Sequence, residues 1–511
     1  MKVNELKIGA ILSYVLLGLK TIEGIVFTPF LTKCLGQSEY GLYSLVASII
    51  GYLTVLDFGF GNAIIIYTTR YKTKNEKEKE YKLNGMFTII YTIIGIIAAG
   101  IGILLYQNVE AMFGSTMTAY EIEKAKIMLL ILTLNLAITF PFTIFSSIIT
   151  AYEKFVFAKL INIFRTILTP IIMVALLLYG YKSVALVIVT TAVNVICLLI
   201  NAVYCFKKLK IKIHFGKFDF SLLKEISIYS FFIFLGIIMD KINWNLDQFI
   251  LGAIVGTTAV AIYNVASQFS TIYQSFSTAI SGVMLPKITK MISSKATNEE
   301  ISDIFIRTGR IQYIIMGLVI TGFIIFGMPF ITSFFGEQYY QSYYIACILM
   351  IPVTIPLIQN VGISIMQAKN MHKFRTISYL LIAIGNVIIS IPLAKLYSGV
   401  GAAIGTAISL IIGAIITMNI YYYKRVHINI PKFWKEIAKM SMPVLISLII
   451  GIVCINYIGF HSKIILFLEM IVYCIIYFIL IWKFGMNKYE KEIFSKPLKL
   501  IKGKIKVGEN P

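Results

Sequence analysis

The 511-residue chain is predicted to be an all-α integral membrane protein of about fourteen transmembrane helices, and three observations carry that prediction. Apolar residues make up 58% of the sequence and charged residues 14%, about half the charged share of an ordinary soluble domain. Apolar runs bounded by charged or Gly/Pro clusters recur fourteen times, most near the ~20 residues that cross a bilayer. Lysine and arginine then alternate along the chain. With the N-terminus inside, and Lys159 at the inner edge of its run counted with the loop before it, 36 of the 46 fall on one side of the membrane, five on the other and five within spans. Cytoplasmic loops retain Lys and Arg, so both termini are placed in the cytoplasm.

The first run, 8–31, follows a polar start and is too long for a cleaved signal segment, so it is expected as the first span. Runs at 41–67, 85–106, 127–149, 156–179 and 184–206 complete a six-helix lobe over 1–206. A cytoplasmic linker, 207–225, leads to a second lobe, 226–423, with runs at 226–246, 259–285, 311–331, 344–366, 377–397 and 401–423. Two further spans, 441–459 and 464–484, lie in 424–484. The segment 485–511 interleaves apolar residues with lysines and is expected to lie as a basic tail along the inner leaflet. The net charge of +22 is thus mostly topology and gives no reason to expect a nucleic-acid partner.

Other classes are excluded by what the chain lacks. Six cysteines are scattered without a CxxC pair, four histidines form no HExxH or HxxxH pattern, and five aspartates form no DxD pair. No metal is expected, there is no P-loop, and no cofactor is called for.

An internal repeat organises the helices. Leu31-Thr-Lys-Cys-Leu-Gly36-Gln-Ser-Glu-Tyr-Gly-Leu-Tyr43 overlays Leu251-Gly-Ala-Ile-Val-Gly256-Thr-Thr-Ala-Val-Ala-Ile-Tyr263 at a shift of 220. Phe113-Gly114 and Phe335-Gly336 recur at 222, and the connections starting at Gly180 and Ser398 at 218. Six spans map onto the next six in the same orientation, so the two lobes are parallel, as in alternating-access transporters that bind cargo between lobes.

The stretch from Leu31 to Tyr43, with Leu56-Asp57-Phe58-Gly59-Phe60-Gly61-Asn62-Ala63-Ile64, resembles the opening of bacterial polysaccharide-repeat flippases (O-antigen/capsule, Wzx-type). Leu246-Asp247-Gln-Phe-Ile-Leu-Gly252, Ile262-Tyr263-Asn264-Val265-Ala266 and Leu285-Pro286 are similar to the start of their second half. That family belongs to the multidrug/oligosaccharidyl-lipid/polysaccharide exporter superfamily, with the multidrug (MATE) exporters and the lipid II flippase. The resemblance implies a MATE-like fold in a bacterial inner membrane and transport, without catalysis, of an undecaprenyl-pyrophosphate-linked oligosaccharide from the inner to the outer leaflet. It further implies membrane lipids and other polysaccharide-assembly proteins as partners.

Charges inside spans cost roughly 2.5–3.5 kcal/mol on insertion scales and therefore face a cavity or a partner. Lys20 and Glu23 share one helical face: a substrate cation with its tuner, or a self-neutralising pair. Arg165 is either a phosphate fork or a snorkelling charge near the inner surface. Asp240, Lys241, Asn243 and Trp244 are expected to line the substrate cavity, with Trp244 offering a sugar ring a stacking surface, and Gln268, Tyr273 and Gln274 to meet sugar hydroxyls. Asp57 precedes Gly59 and Gly61, so its carboxylate either accepts backbone N–H groups freed at a kink or couples an ion, and Asp247 is a second such acid. Lys395 and Glu469 are expected to snorkel or pair near helix ends.

Proton, sodium or the membrane potential could bias the cycle, and the sequence does not choose among them. The alternatives are a multidrug-type exporter or lipid II flippase, a polysaccharide polymerase or integral glycosyltransferase, and a non-transporting scaffold. The enzymes carry a long outer loop with catalytic residues, whereas the longest expected here is about 20 residues, Gln107 to Lys126.

Overall fold

A computed structural model describes residues 5–216, 219–281, 284–369, 371–458 and 462–495, and among these every regular element is helical. The chain forms two compact units, Met1–Asn264 with Val387–Ala402, and Val265–Asn386 with Ala403–Pro511.

The first unit opens with α1 (Glu5–Ile22), a π-helical turn (Glu23–Phe27) and α2 (Thr28–Leu35), joined without a break in helical backbone angles. α3 (Gln37–Leu53) tightens into a 3₁₀ turn at Thr54–Asp57; Phe58 and Gly59 take left-handed angles, and α4 (Phe60–Thr73) resumes. α5 (Lys77–Phe113), α6 (Ala119–Ala151), α7 (Phe155–Leu178), α8 (Ser183–Lys207) and α9 (Phe220–Ile254) follow, and α10 (Thr257–Ser281) begins here. α6 is the hub: α3, α4, α5 and α8 all pack on it, while α1 packs on α7 and α9 on α3, α4 and α5.

The second unit holds the rest of α10, then α11 (Leu285–Ser293), α12 (Asn298–Phe335), α13 (Tyr340–Ile358) and α14 (Val361–Ala368). α15 (His372–Leu410) is broken at Tyr397 and Ser398, and a π-helical turn (Ile411–Thr417) joins it to α16 (Met418–Lys424). α17 (Ile430–Ile458) and α18 (Lys463–Leu480) both pack on α12, and a π-helical turn (Ile481–Gly485) leads to a last helical segment, 488–495.

Helix starts are written into the sequence. Thr118 with Glu121, and Thr297 with Glu300, form reciprocal capping boxes that satisfy the first amides of α6 and α12. Several helices overrun the apolar runs: α5 starts at Lys77 where hydropathy marks 85. Its Lys- and Glu-rich first turns are good helix formers but poor membrane residues, so hydropathy records only the hydrocarbon-crossing part. The expected outer loop shrinks for the same reason, to the five residues 114–118 between α5 and α6.

Among the described residues, eleven segments are long and apolar enough to cross a membrane, where the sequence predicts fourteen. One of the eleven, Phe374–Lys424, has 51 residues and contains the break at Tyr397–Ser398, so it holds two helical lengths. α9 and α10, expected as crossings seven and eight, are helices of 35 and 25 residues and are not among the eleven. Large apolar side chains such as Ile96, Leu178, Ile388 and Ile464 stand exposed, the outer surface of a protein that meets hydrocarbon rather than water. The chain is a multi-pass membrane protein.

The repeat has a backbone signature. Gly36 and Gly256, 220 apart, have φ +79° and +115° immediately before α3 and α10. Gly180 and Ser398, 218 apart, have φ +85° and +54°. At both pairs the chain turns through angles that suit residues lacking a Cβ before re-entering a helix. The third match differs: Gly336 has φ +111°, whereas Gly114 is helical at −63°.

Candidate functional site

The first unit places two exposed cations in the middle of spans. Lys20 is the tenth residue of the 25-residue span Ile11–Leu35, and among the described residues it makes neither a hydrogen bond nor an ion pair within 4 Å. Half-buried Glu23 lies within electrostatic reach of it without closing a pair, and opens the π-helical turn. A π-turn leaves an intrahelical register shift that recurs at functional sites.

Arg165 is the eleventh of 24 residues in α7, about 15 Å from the helix start at 1.5 Å per residue. Its Nη1 donates to Asn194 Oδ1 of α8 at 2.9 Å. Asn194 in turn donates from Nδ2 to Asn135 Oδ1 at 2.8 Å and Thr139 Oγ1 at 2.9 Å, both on α6. This chain of amides holds the guanidinium at one edge and leaves the rest of its five N–H donors unspent. Asn162 and Thr169 lie three residues before and four after Arg165 on one face of α7. The spacing of Asn162, Arg165 and Thr169 inside an apolar run is the signal of that polar stripe in the sequence.

Asp57 sits where α3 gives way to α4. Its Oδ1 accepts from Tyr91 Oη of α5 at 2.7 Å, and the backbone N–H groups of Gly59 and Gly61 lie within electrostatic reach of its carboxylate. The carboxylate is thus surrounded by donors released at the helix break.

α9 brings its charges to α3 and α10. Lys241 is half-buried, with Nζ 3.9 Å from the point where a Cβ on Gly51 would sit. Asp247 is buried and accepts from Tyr263 Oη of α10, and Tyr52 of α3 lies within its electrostatic reach. The side chains of Asp240, Asn243 and Trp244 lie outside the described residues.

In the second unit, half-buried Gln274 donates to Ser270 Oγ at 3.4 Å, and Gln268 is half-buried on the same helix. Tyr273 is fully buried, its hydroxyl 2.7 Å from Thr354 Oγ1 of α13; it is a core residue rather than a sugar contact. Lys395 is exposed, two residues before the break in α15. Glu469 does not pair among the described residues: both carboxylate oxygens are buried with no hydrogen-bond partner there.

Comparison with known proteins places this geometry in context. The family of polysaccharide biosynthesis proteins matches residues 8–292 and 294–466. The chain belongs to that family. A Shigella flexneri protein assigned as an O-antigen transporter is 21% identical over 413 residues, covering 78% of this chain and 94% of that one. Two solved structures share the fold. The lipid II flippase MurJ in an inward closed conformation has a TM-score of 0.72 at 18% identity, covering 96% of this chain and 99% of its own. An inward-facing multidrug resistance MATE transporter of the MOP superfamily has 0.63 at 15%, covering 83% and 99%.

The residues that carry the family resemblance act as a clasp at the start of α3. Glu39, 8% exposed, accepts from Lys124 Nζ of α6 at 2.7 and 2.9 Å, and from Ser183 Oγ and N at the start of α8 at 2.5 and 3.3 Å. Ser38 Oγ and Thr257 Oγ1 both donate to Glu121 Oε1, at 2.5 and 2.8 Å. Gly41 lies so close that an added Cβ would fall 1.8 Å from Thr257 O, which is why the motif continues with glycine after Tyr40. The stretch of the motif at the start of α3 therefore marks a junction of helix ends.

Proposed function

We propose that this protein is a flippase that moves an undecaprenyl-pyrophosphate-linked oligosaccharide repeat unit from the inner to the outer leaflet of the bacterial plasma membrane, with both termini cytoplasmic. The observation that carries the reading is the pair of mid-span cations, Lys20 on α1 and Arg165 on α7. The two helices pack on one another, and among the described residues neither cation is committed to a carboxylate partner.

A pyrophosphate leaving water needs charge-assisted hydrogen bonds to replace its hydration. Arg165 offers unspent N–H donors in the planar fork that fits two phosphate oxygens, and Lys20 adds a mobile point charge. In this reading the headgroup enters a hydrated cavity, the polyprenyl tail stays in the bilayer, and alternating access of two lobes, 1–206 and 226–423, exposes the headgroup outside. Lys241 and the amides Gln268 and Gln274 are further cavity candidates. Glu23, Asp57, Asp240 and Asp247 are candidates for coupling to a proton or sodium. The name of the Shigella relative and the family match support a polysaccharide cargo, and other assembly proteins are proposed as partners.

The test is export of a fluorescent lipid-linked oligosaccharide across proteoliposomes containing wild type, Lys20→Ala, Lys241→Ala or Arg165→Ala. The expected result is at least tenfold slower export in Lys20→Ala and Arg165→Ala at equal protein content. Full activity in both removes the cationic site. Movement of lipid II or of drug cations, with no movement of the oligosaccharide carrier, removes the cargo assignment.

A further inference from the structure

A second site lies in the bundle of α12, α17 and α18. There the helices leave a cavity of about 300 Å³, at the lower end of the roughly 300–1,000 Å³ usual for small-molecule pockets. Its walls are apolar and include Phe326 of α12, Cys454 of α17, and Leu468, Val472 and Tyr473 of α18. One charged residue lines it, Glu469, whose two carboxylate oxygens are buried and make no hydrogen bond.

The neighbouring polar groups are spoken for. Tyr473 donates its hydroxyl to Thr321 Oγ1 at 2.7 Å, away from the carboxylate. Lys463, the cation that opens α18, lies over the Phe334 ring with Nζ 4.9 Å from its centroid. Among the described residues no cation comes within ion-pair distance of Glu469. It lies six residues into α18, about 9 Å along the helix, with its two oxygens shielded from the surface, and an uncompensated charge held there is costly.

An unpartnered carboxylate among apolar walls selects its complement by exclusion. A small inorganic cation needs six or more oxygen ligands, or a retained hydration shell, and the walls offer neither. A neutral lipid tail would fill the space but leave the carboxylate uncompensated. A cation carried on an apolar body meets both demands, with Phe326 and Tyr473, in edge-to-face contact at 5.8 Å, giving aromatic surface to the charge. Leu468 at 56% and Val472 at 54% exposure stand on the outer face of α18, so such a ligand reaches the pocket sideways from the bilayer in which it is dissolved.

We propose that this pocket is a binding site for a lipophilic organic cation, with Glu469 as its counter-ion. The site does not depend on the identity of the cargo proposed above.

The experiment uses full-length protein in nanodiscs with radiolabelled tetraphenylphosphonium, empty nanodiscs giving the partition background. Saturable binding is expected for the wild type, at least tenfold weaker for Glu469→Gln, and none for the tetraphenylborate anion. Equal affinity in Glu469→Gln, equal saturable binding of the anion, or no saturable binding at all overturns the proposal. An assay on the unaltered protein guards against a variant that fails to fold. Exposed Cys454 is labelled with a membrane-permeant methanethiosulfonate and followed at that residue by mass spectrometry. Tetraphenylphosphonium is expected to protect it, and undiminished labelling at a saturating concentration also overturns the site.

Discussion

Arg165 and Arg310 invite comparison, since each lies well inside a long helix and carries the same guanidinium. On α12, Arg310 is 4% exposed and all five of its N–H donors are used. Nε donates to Glu490 Oε1 at 2.6 Å and Nη2 to Glu490 Oε2 at 3.0 Å. Nη2 also reaches Gly485 O at 2.9 Å, and Nη1 donates to Glu436 Oε2 at 2.9 Å and Glu436 O at 3.3 Å. Glu490 is itself saturated, accepting from Asn487 N at 2.9 Å and Nδ2 at 3.2 Å. Arg165 makes one hydrogen bond, to a neutral amide, and is exposed. A fully ligated guanidinium is a rivet, here fastening α12 to α17 and to the segment after α18. A guanidinium held by one edge is positioned, and its remaining donors are available to something else. The chemistry of the residue is the same in both places; the number of donors spent separates fold from function.

The largest effect expected from this contrast is on Arg310→Ala. Removing one member of a buried ion network leaves Glu490, 1% exposed, without its countercharge, and such losses cost about 3–5 kcal/mol. Thermal unfolding in detergent should show a large fall in midpoint, with α17, α18 and the segment after them becoming accessible to protease first. A variant as stable as wild type would mean the network is not what fastens these helices.

Much of this was legible in the sequence, and the limit of legibility follows sequence distance. The Asp57 break could be read because its partners Gly59 and Gly61 lie two and four residues away, and the capping boxes because their members are three apart. The rivet could not be read: Arg310 and Glu490 are 180 residues apart, and Arg310 stands just before an apolar run where it counts as an ordinary cytoplasmic charge. Glu39 was hidden in the same way, its partners Lys124 and Ser183 being 85 and 144 residues on. Lys20 was found because a charge inside an apolar run declares itself. Whether such a charge is spent or available depends on neighbours from other helices, which periodicity does not record.

A smaller effect is expected from Asn194→Ala, which sharpens the comparison by loosening the holder without touching the cation. The substitution removes the acceptor of Arg165 and two donations to α6. Interhelical hydrogen bonds in membranes average about 0.6 kcal/mol each, so the stability cost is about 1–2 kcal/mol. Glycan export should slow several-fold rather than stop, because the charge remains while its orientation is lost. Export at the wild-type rate would show that the amide chain does not position Arg165 for transport.

The smallest effect on stability belongs to Arg165→Ala, and it divides the two arginines most sharply. Only one interhelical hydrogen bond is lost, about 0.6 kcal/mol, and the deletion also removes a charge whose placement inside a span is itself unfavourable. The two terms oppose each other, so the unfolding midpoint should stay close to wild type while export falls at least tenfold. Arg165→Lys keeps the charge and gives up the planar fork, so it should fold normally and recover only part of the export. If Arg165→Ala instead unfolded as readily as Arg310→Ala, Arg165 would be a second rivet, and a count of unspent donors would no longer tell a positioned charge from a structural one.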